Sequence, residues 1–248
     1  MMDSRSRSAG RSADVFFRQA RDRWRRRVVR RVEPFLLVPV IALCLAHVVW
    51  PVDLLSWSLG LAAGGLVGIW VWLRDSPAPH IENWRTGRDA ERRTARALAG
   101  LARDGWAIAH DVASARGNVD HVLVGPAGVF LVDTKQLGGV TTIRGDLVRV
   151  EPPDNPRATY EPPNLSRSVR RAAAALSREL ERLANERVWV QPVVVFWNDF
   201  PAGAVDAERV VFLAGDRAAS WLEQQPRRLT PASLEALKRA VAALPPAC

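Results

Sequence analysis

The chain contains little cysteine and almost no lysine. Its 248 residues include only Cys44 and Cys248, too few for a disulfide scaffold or a cysteine-based zinc site. Only two of the 35 basic residues are lysines, so Lys135 stands out within any motif. With 48% hydrophobic and 25% charged residues, the chain as a whole is not disordered, and it is long enough for one or two domains with a core.

The net charge of +9 is concentrated at the N-terminus. Residues 1–33 hold eleven arginines and four acidic residues, whereas the rest of the chain holds 24 basic and 22 acidic residues. The basic character therefore belongs to a short arm. We expect this arm to lie in the cytoplasm on anionic lipid, and nucleic acid is its alternative partner.

Two long segments contain no charged residue. Residues 34–50 and 54–73 lack Asp, Glu, Lys and Arg, and as helices they would measure about 26 and 30 Å, close to the hydrocarbon thickness of a bilayer. Their three-residue link predicts a tight transmembrane hairpin. Arginines flank the pair but are missing from the turn, which places both termini of a two-span cell-membrane protein in the cytoplasm. A buried soluble hairpin and a cleaved signal peptide are the alternatives.

After a linker at residues 74–85, residues 86–248 alternate between helical and strand patterns. Helical spacing covers residues 86–102, and a long helix starts near Asn164 or Ser166, either of which can cap it. Thr230 caps a last helix. The β-rich runs are 106–109, 119–124, 129–132, 140–143, 147–150, 188–197 and 209–213. This order predicts an α/β fold with a mixed sheet and helices on both faces.

The candidate chemistry lies in the hairpin at residues 118–135. If its turn is centred between Pro126 and Ala127, directly paired residue numbers sum to 253, and Asp120 lies opposite Asp133. Lys135 then shares their face. Facing carboxylates repel each other unless a cation separates them, and oxygen ligands suit Mg²⁺ or Mn²⁺. We therefore expect Asp120 and Asp133 to bind the metal. Lys135 would orient or help deprotonate water, or neutralise phosphate charge.

Simpler interpretations of these residues stay open. Strand ends often carry charges because they are solvated, and a register shift of one residue would separate the two aspartates. Glu91 could supply a third carboxylate from the preceding helix or could be a solvated helix residue. The scattered histidines do not predict a metal site. Basic residues of the later helix are either a solvated face or phosphate contacts; they are Arg167, Arg170, Arg171 and Arg178.

Three stretches together resemble a known family: residues 86–91, the Asn-Val-Asp-His run at 118–121, and residues 125–135. They are similar to the NERD (nuclease-related) domain, which has the PD-(D/E)XK restriction-endonuclease-like fold. The resemblance covers roughly residues 85–200. It implies that Glu91 is the helix acid, Asp120 the metal-binding aspartate, and Asp133 with Lys135 the (D/E)xK pair. The family often has a glutamine in the helix after the hairpins, whereas residues 164–168 read Asn-Leu-Ser-Arg-Ser.

Two functions are consistent with these observations. The first is a membrane-anchored, Mg²⁺- or Mn²⁺-dependent hydrolase of phosphodiester bonds in nucleic acid, with Glu91, Asp120, Asp133 and Lys135 as catalytic residues. Arg167, Arg170 and Arg171 would contact its substrate. The second is a catalytically degenerate domain that binds nucleic acid or proteins at the membrane. Retention of all four site residues favours the enzyme, and the missing glutamine favours the scaffold.

Overall fold

A computed structural model of the chain describes residues 53–75, 79–114, 117–207 and 209–247, together with scattered positions between 15 and 49. The chain divides into two compact units, Asp14–Arg85 and Thr86–Cys248. Each unit is described here by itself. The candidate chemistry lies in the second.

The smaller unit contains helix α1, Asp53–Asp75, which covers the second uncharged segment. Within the described residues, no helix has both the length and the apolar character needed to cross a membrane. The predicted transmembrane hairpin is therefore not supported. Its first segment, residues 34–50, falls largely outside the described residues, and so does the basic arm of residues 1–33.

The larger unit is a mixed sheet flanked by helices, as predicted. Its strands are β1 Ala107–Ser114, β2 Gly117–Gly125, β3 Gly128–Lys135, β4 Val140–Arg144, β5 Leu147–Glu151, β6 Val190–Phe196, β7 Ala204–Ala207 and β8 Val210–Ala214. Its helices are α2 Pro79–Leu98, which begins before the unit boundary, α3 Leu165–Ala184, α4 Ala218–Glu223 and α5 Pro231–Ala242. Six strands form the main sheet in the order β1-β2-β3-β6-β8-β7, and β4 pairs with β5 in a separate hairpin.

The sheet combines two antiparallel hairpins with a parallel centre. Strand β3 pairs in parallel with β6, and β6 pairs in parallel with β8. Parallel neighbours require a crossover connection, which α3 supplies between β3 and β6. Residues 193–195 of β6 are completely buried, as expected for a strand with helices over both faces.

Two apolar layers fill the space on either side of the sheet. On one face, α3 and α5 pack against side chains such as Leu131 and Val194. On the other face, the end of α2, the 3-10 turn Ala99–Asp104 and α4 cover Leu123 and Val132. Because side chains alternate along each strand, a residue's position in β3 determines which helix layer it faces.

The turn between β2 and β3 depends on two glycines. A Cβ on Gly125 would lie 2.1 Å from Cδ2 of the Trp106 ring, so the indole can cover this turn only if residue 125 has no side chain. Gly128 has a φ of +137°, a conformation that side chains disfavour. The Gly-Pro-Ala-Gly sequence therefore fixes both the place of the turn and the register of the strands after it.

Several boundaries differ from the sequence-based predictions. Helix α2 begins at Pro79, inside the predicted linker, because proline is favourable at a first helical position. Strand β1 extends to Ser114, and the short edge strand β7 was not predicted. Asn164 precedes α3 without a capping side-chain hydrogen bond, so the predicted cap is wrong. The Thr230 cap is confirmed, since its hydroxyl accepts from Ser233 N at 3.2 Å.

Candidate active site

The β2–β3 hairpin has the predicted register. Its pairs run from Gly125 opposite Gly128 to His121 opposite Val132, and every pair sums to 253. Backbone pairing ends there, one residue before Asp120 and Asp133. The two aspartates therefore lie at the open end of the hairpin, where their side chains are no longer constrained by the ladder.

Asp120 bridges this opening with its side chain. Its Oδ2 accepts a hydrogen bond from the Thr134 backbone N at 2.7 Å. A carboxylate that accepts from a backbone amide is held in one orientation, because the amide belongs to the sheet. Asp120 is thus tied to the residue between Asp133 and Lys135.

Asp133 and Lys135 form an ion pair on the α3 face of β3. Lys135 Nζ lies 2.8 Å from Asp133 Oδ2, and the two side chains are 34% and 25% exposed. The same Nζ donates to the Thr134 carbonyl at 3.3 Å. In the parallel pairing with β6, Asp133 lies beside Val194 and Lys135 beside Phe196. The pair is therefore anchored on a buried strand and is still accessible from solution.

Burial and neighbouring charge shift the pKa values of this cluster. Desolvation, followed by the negative charge of Asp133, raises the pKa of Asp120 to about 7. Burial alone would lower the pKa of Lys135, but the carboxylates of Asp133 and Asp120 outweigh it and raise that pKa. Lys135 is therefore a cation at neutral pH, and one carboxyl beside it titrates near neutrality.

Glu91 joins the cluster from helix α2. Desolvation is the main cause that raises the pKa of Glu91 to about 8, and the charges of Asp120 and Asp111 add to it. A hydroxyl network fixes this helix against the sheet. Thr94 Oγ1 accepts from Thr134 Oγ1 at 3.0 Å and from Trp197 Nε1 at 2.7 Å. The helix turn carrying Glu91 is therefore attached directly to the strand residue between Asp133 and Lys135.

Asp111 is an acidic residue of this site that the sequence patterns did not reveal. It is only 5% exposed, and its charge raises the pKa values of both Glu91 and Asp120. The β1–β2 pairing includes His110–His121 and Val112–Val119, which places Asp111 opposite Asp120. Its φ of +53° interrupts the strand there. An Asp in the left-handed region is a local signal of a special position, but the sequence does not show it.

The histidines contact each other and not the aspartates. Nδ1 of His110 lies 2.8 Å from Nδ1 of His121, whose burial lowers its pKa well below the ordinary value. His121 alternates with Asp120 and therefore points to the opposite face of β2. Among the described residues, no group of three or more His, Cys, Asp or Glu side chains is arranged to hold a metal ion. Asp120 and Asp133 are the two carboxylates closest to that role.

The three predicted phosphate contacts lie on α3. Arg167 and Arg171 are exposed, and Arg170 forms an ion pair with Asp146 in the β4–β5 turn. In the described part of the chain, no hydrogen bond or ion pair joins these arginines to the carboxylates. They line a separate groove, together with Arg178 and Trp189, that is described below.

Residues 86–197 match the family model of the nuclease-related domain, NERD. The matched segment contains Glu91, Asp111, Asp120, Asp133 and Lys135, and it ends with the central strand β6. This part of the chain is thus a NERD domain, and its function is nuclease-related. No curated protein and no solved structure matches the chain.

Proposed function

We propose that residues 86–248 form a metal-dependent nuclease domain of the PD-(D/E)XK type, which hydrolyses phosphodiester bonds in nucleic acid. The observation that carries the proposal is the convergence of Asp120, Asp133 and Lys135 at the open end of one hairpin within the matched segment. A solvated strand end does not explain the raised pKa of Asp120, because a solvated carboxyl keeps an ordinary pKa.

The donor set fits a divalent metal held by Asp120 and Asp133. Asp133 Oδ2 is buried and, apart from its ion pair with Lys135, has no hydrogen-bond partner among the described residues. Mg²⁺ is commonly bound through one or two protein carboxylates, with water and substrate phosphate completing the shell. When bound, Mg²⁺ or Mn²⁺ would supply positive charge to the phosphate and activate a water.

The remaining residues of the cluster have distinct roles in this proposal. Because the pKa of Lys135 is raised, this side chain acts as a fixed cation that donates hydrogen bonds to water or phosphate. It is not a general base. The carboxyl of Glu91 has a pKa of about 8 and can accept and release a proton near neutral pH. Asp111 shapes the charge around Glu91 and Asp120.

The test of this function is metal-dependent cleavage by the full chain. We expect Mg²⁺ or Mn²⁺ to raise the melting temperature and to permit cleavage of labelled single- or double-stranded DNA or RNA, and we expect EDTA to abolish both. If the chain binds these nucleic acids but neither metal changes its melting temperature or produces cleavage, it is a scaffold. The missing glutamine at residues 164–168 is the observation that favours that second function.

We also propose that residues 34–73 anchor the chain in the cell membrane, with both termini in the cytoplasm and the arm of residues 1–33 on anionic lipid. The support is exposed apolar surface, since Leu61 is 83% and Phe35 80% exposed. Val67, Ile69 and Val71 of α1 are exposed as well. Reporter fusions at Asp53 and Cys248 test this topology. A Cys248 fusion active only outside the cytoplasm would overturn the topology.

A further inference from the structure

A groove of about 470 Å³ runs along α3, beside the first residues of β6. On the helix side, its wall consists of small residues, Ala173, Ala174 and Ser177, and its floor contains Val190 and Pro192 of β6. Ser177 Oγ donates to the Val188 carbonyl at 2.6 Å, which holds the helix to the chain leading into the strand. The small residues leave a space that larger side chains would fill.

The groove is strongly basic. Five arginines and one acidic residue, Glu181, line it. The arginines are Arg167, Arg170, Arg171, Arg178 and Arg209. All except Arg170 are exposed and have no ion pair within the described residues. Guanidinium groups without carboxylate partners along one groove provide a binding surface for a chain of anions, phosphodiesters above all.

An exposed aromatic ring lies at the β6 end of this groove. Trp189 is 63% exposed, although it directly precedes a buried strand. Its Nε1 donates to Gln191 Oε1 at 3.3 Å, which holds the indole while leaving much of it open to solvent. An oriented indole beside guanidinium groups is a platform on which an unpaired base can stack.

The groove lies on the same face of the sheet as the carboxylates. Asp133 and Lys135 alternate with Leu131, which packs in the α3 layer, and the groove lies between α3 and β6. Val190 pairs with Val129, whereas Lys135 pairs with Phe196. At about 3.3 Å per residue, Trp189 is roughly 20 Å from the reactive end. The groove would therefore hold nucleotides some distance from the bond that is cut.

We propose that this groove binds single-stranded nucleic acid, with arginines on the phosphates and one base stacked on Trp189. The inference rests on the proposed nuclease function and specifies its substrate class. A base in an intact duplex is already stacked between its neighbours, so only an unpaired base can present its face to the indole. Trp189 thus selects single strands, while the arginines supply affinity that does not depend on sequence.

The test is binding of the full chain to a labelled 20-nucleotide thymidine oligomer and to a 20-base-pair duplex, measured by fluorescence anisotropy in EDTA so that no cleavage occurs. We expect the single strand to bind more tightly than the duplex. Trp189→Ala should weaken single-strand binding by roughly 5- to 100-fold, the range measured for one base–aromatic stack, and Trp189→Phe should retain most of it. The combined Arg171→Ala and Arg178→Ala variant should lower the salt dependence by about 1.4, or about 0.7 per phosphate contact.

Arg103→Ala is the matched control, because Arg103 is also exposed but lies in the turn of Ala99–Asp104, on the other side of the sheet. The inference is wrong if the groove variants bind the single strand as the wild type and Arg103→Ala do. It is also wrong if they lose affinity only for phosphatidylglycerol vesicles. Cleavage that survives in the groove variants with unchanged binding would leave the nuclease function standing without this groove. Groove-dependent binding without cleavage under any metal would instead refute the nuclease function alone.

Discussion

Asp133→Asn should abolish metal-dependent cleavage and the thermal shift caused by Mg²⁺ or Mn²⁺. Asparagine keeps the shape of the side chain but removes the negative charge that a divalent ion requires. Loss of a residue that merely supports a metal ligand commonly costs 10- to 100-fold, so loss of a proposed ligand should cost at least about 100-fold. Melting curves with and without metal, together with cleavage rates of the full chain, measure both effects.

The fold of this variant should survive in EDTA. Asp133 raises the pKa of Asp120 and so opposes its ionisation, while it also forms the ion pair with Lys135. The substitution removes a repulsion and an attraction together, and we expect the two to offset each other to within a few degrees of melting temperature. A folded Asp133→Asn protein that retains the metal shift and the cleavage rate would contradict the proposed site.

Lys135→Ala should separate metal binding from catalysis. The substitution leaves both aspartates in place, so the thermal shift with metal should persist, while the rate falls because the fixed cation beside the phosphate is lost. Lys238 is the only other lysine and provides the matched control, since it forms an i,i+3 ion pair with Glu235 on α5. Lys238→Ala should cleave like the wild type. An equal loss in both lysine variants would argue against a specific role for Lys135.

The second large effect is a loss of stability with rising pH in the absence of metal. The folded state holds the pKa of Glu91 near 8 and that of Asp120 near 7, against ordinary values of 4.5 and 3.8. Between about pH 4 and pH 8 the folded state therefore binds more protons than the unfolded state, and stability must fall as pH rises. Each shift alone corresponds to roughly 4 kcal/mol. The two do not add, because each carboxylate raises the pKa of the other.

Denaturant unfolding in EDTA at pH 5.5 and pH 8.5 measures this loss. The raised pKa of Lys135 has no influence here, because its contribution is lost only above the ordinary lysine value of 10.5. Glu91→Gln should flatten the dependence on pH, and Mg²⁺ should do the same in the wild type by binding the ionised carboxylates. Equal stability of the wild type at both pH values would show that these carboxyls are solvated.

The hairpin was the most predictable part of the site because its register depends on local residues. Gly125 and Gly128 define one turn, and the alternation of side chains then places Asp120, Asp133 and Lys135 without any knowledge of the rest of the fold. Asp111 was not predictable in this way. Its placement requires a positive φ and a contact with residues more than 130 positions away.

The arginines show a different limit of sequence-based prediction. Helical spacing places Arg167, Arg171 and Arg178 on one stripe of α3, but the sequence does not show what lies opposite that stripe. The groove exists because the crossover brings β6 and Trp189 beside the helix. Its position along β6 also separates it from the carboxylates, which residue spacing alone could not reveal.

The outer edge of β1 has a consequence for the order of folding. Ala247 N donates to the Asp111 carbonyl at 2.7 Å, Ala113 N donates to Pro245 at 2.9 Å, and Val112 pairs with Pro246. The hairpin with Asp120 and Asp133 is local and can form as soon as it leaves the ribosome, whereas the contacts at Asp111 must wait until residue 247 has emerged. During synthesis the chain should therefore carry the two proposed metal ligands before Asp111 is fixed beside them. The acidic cluster is then completed in one late docking step.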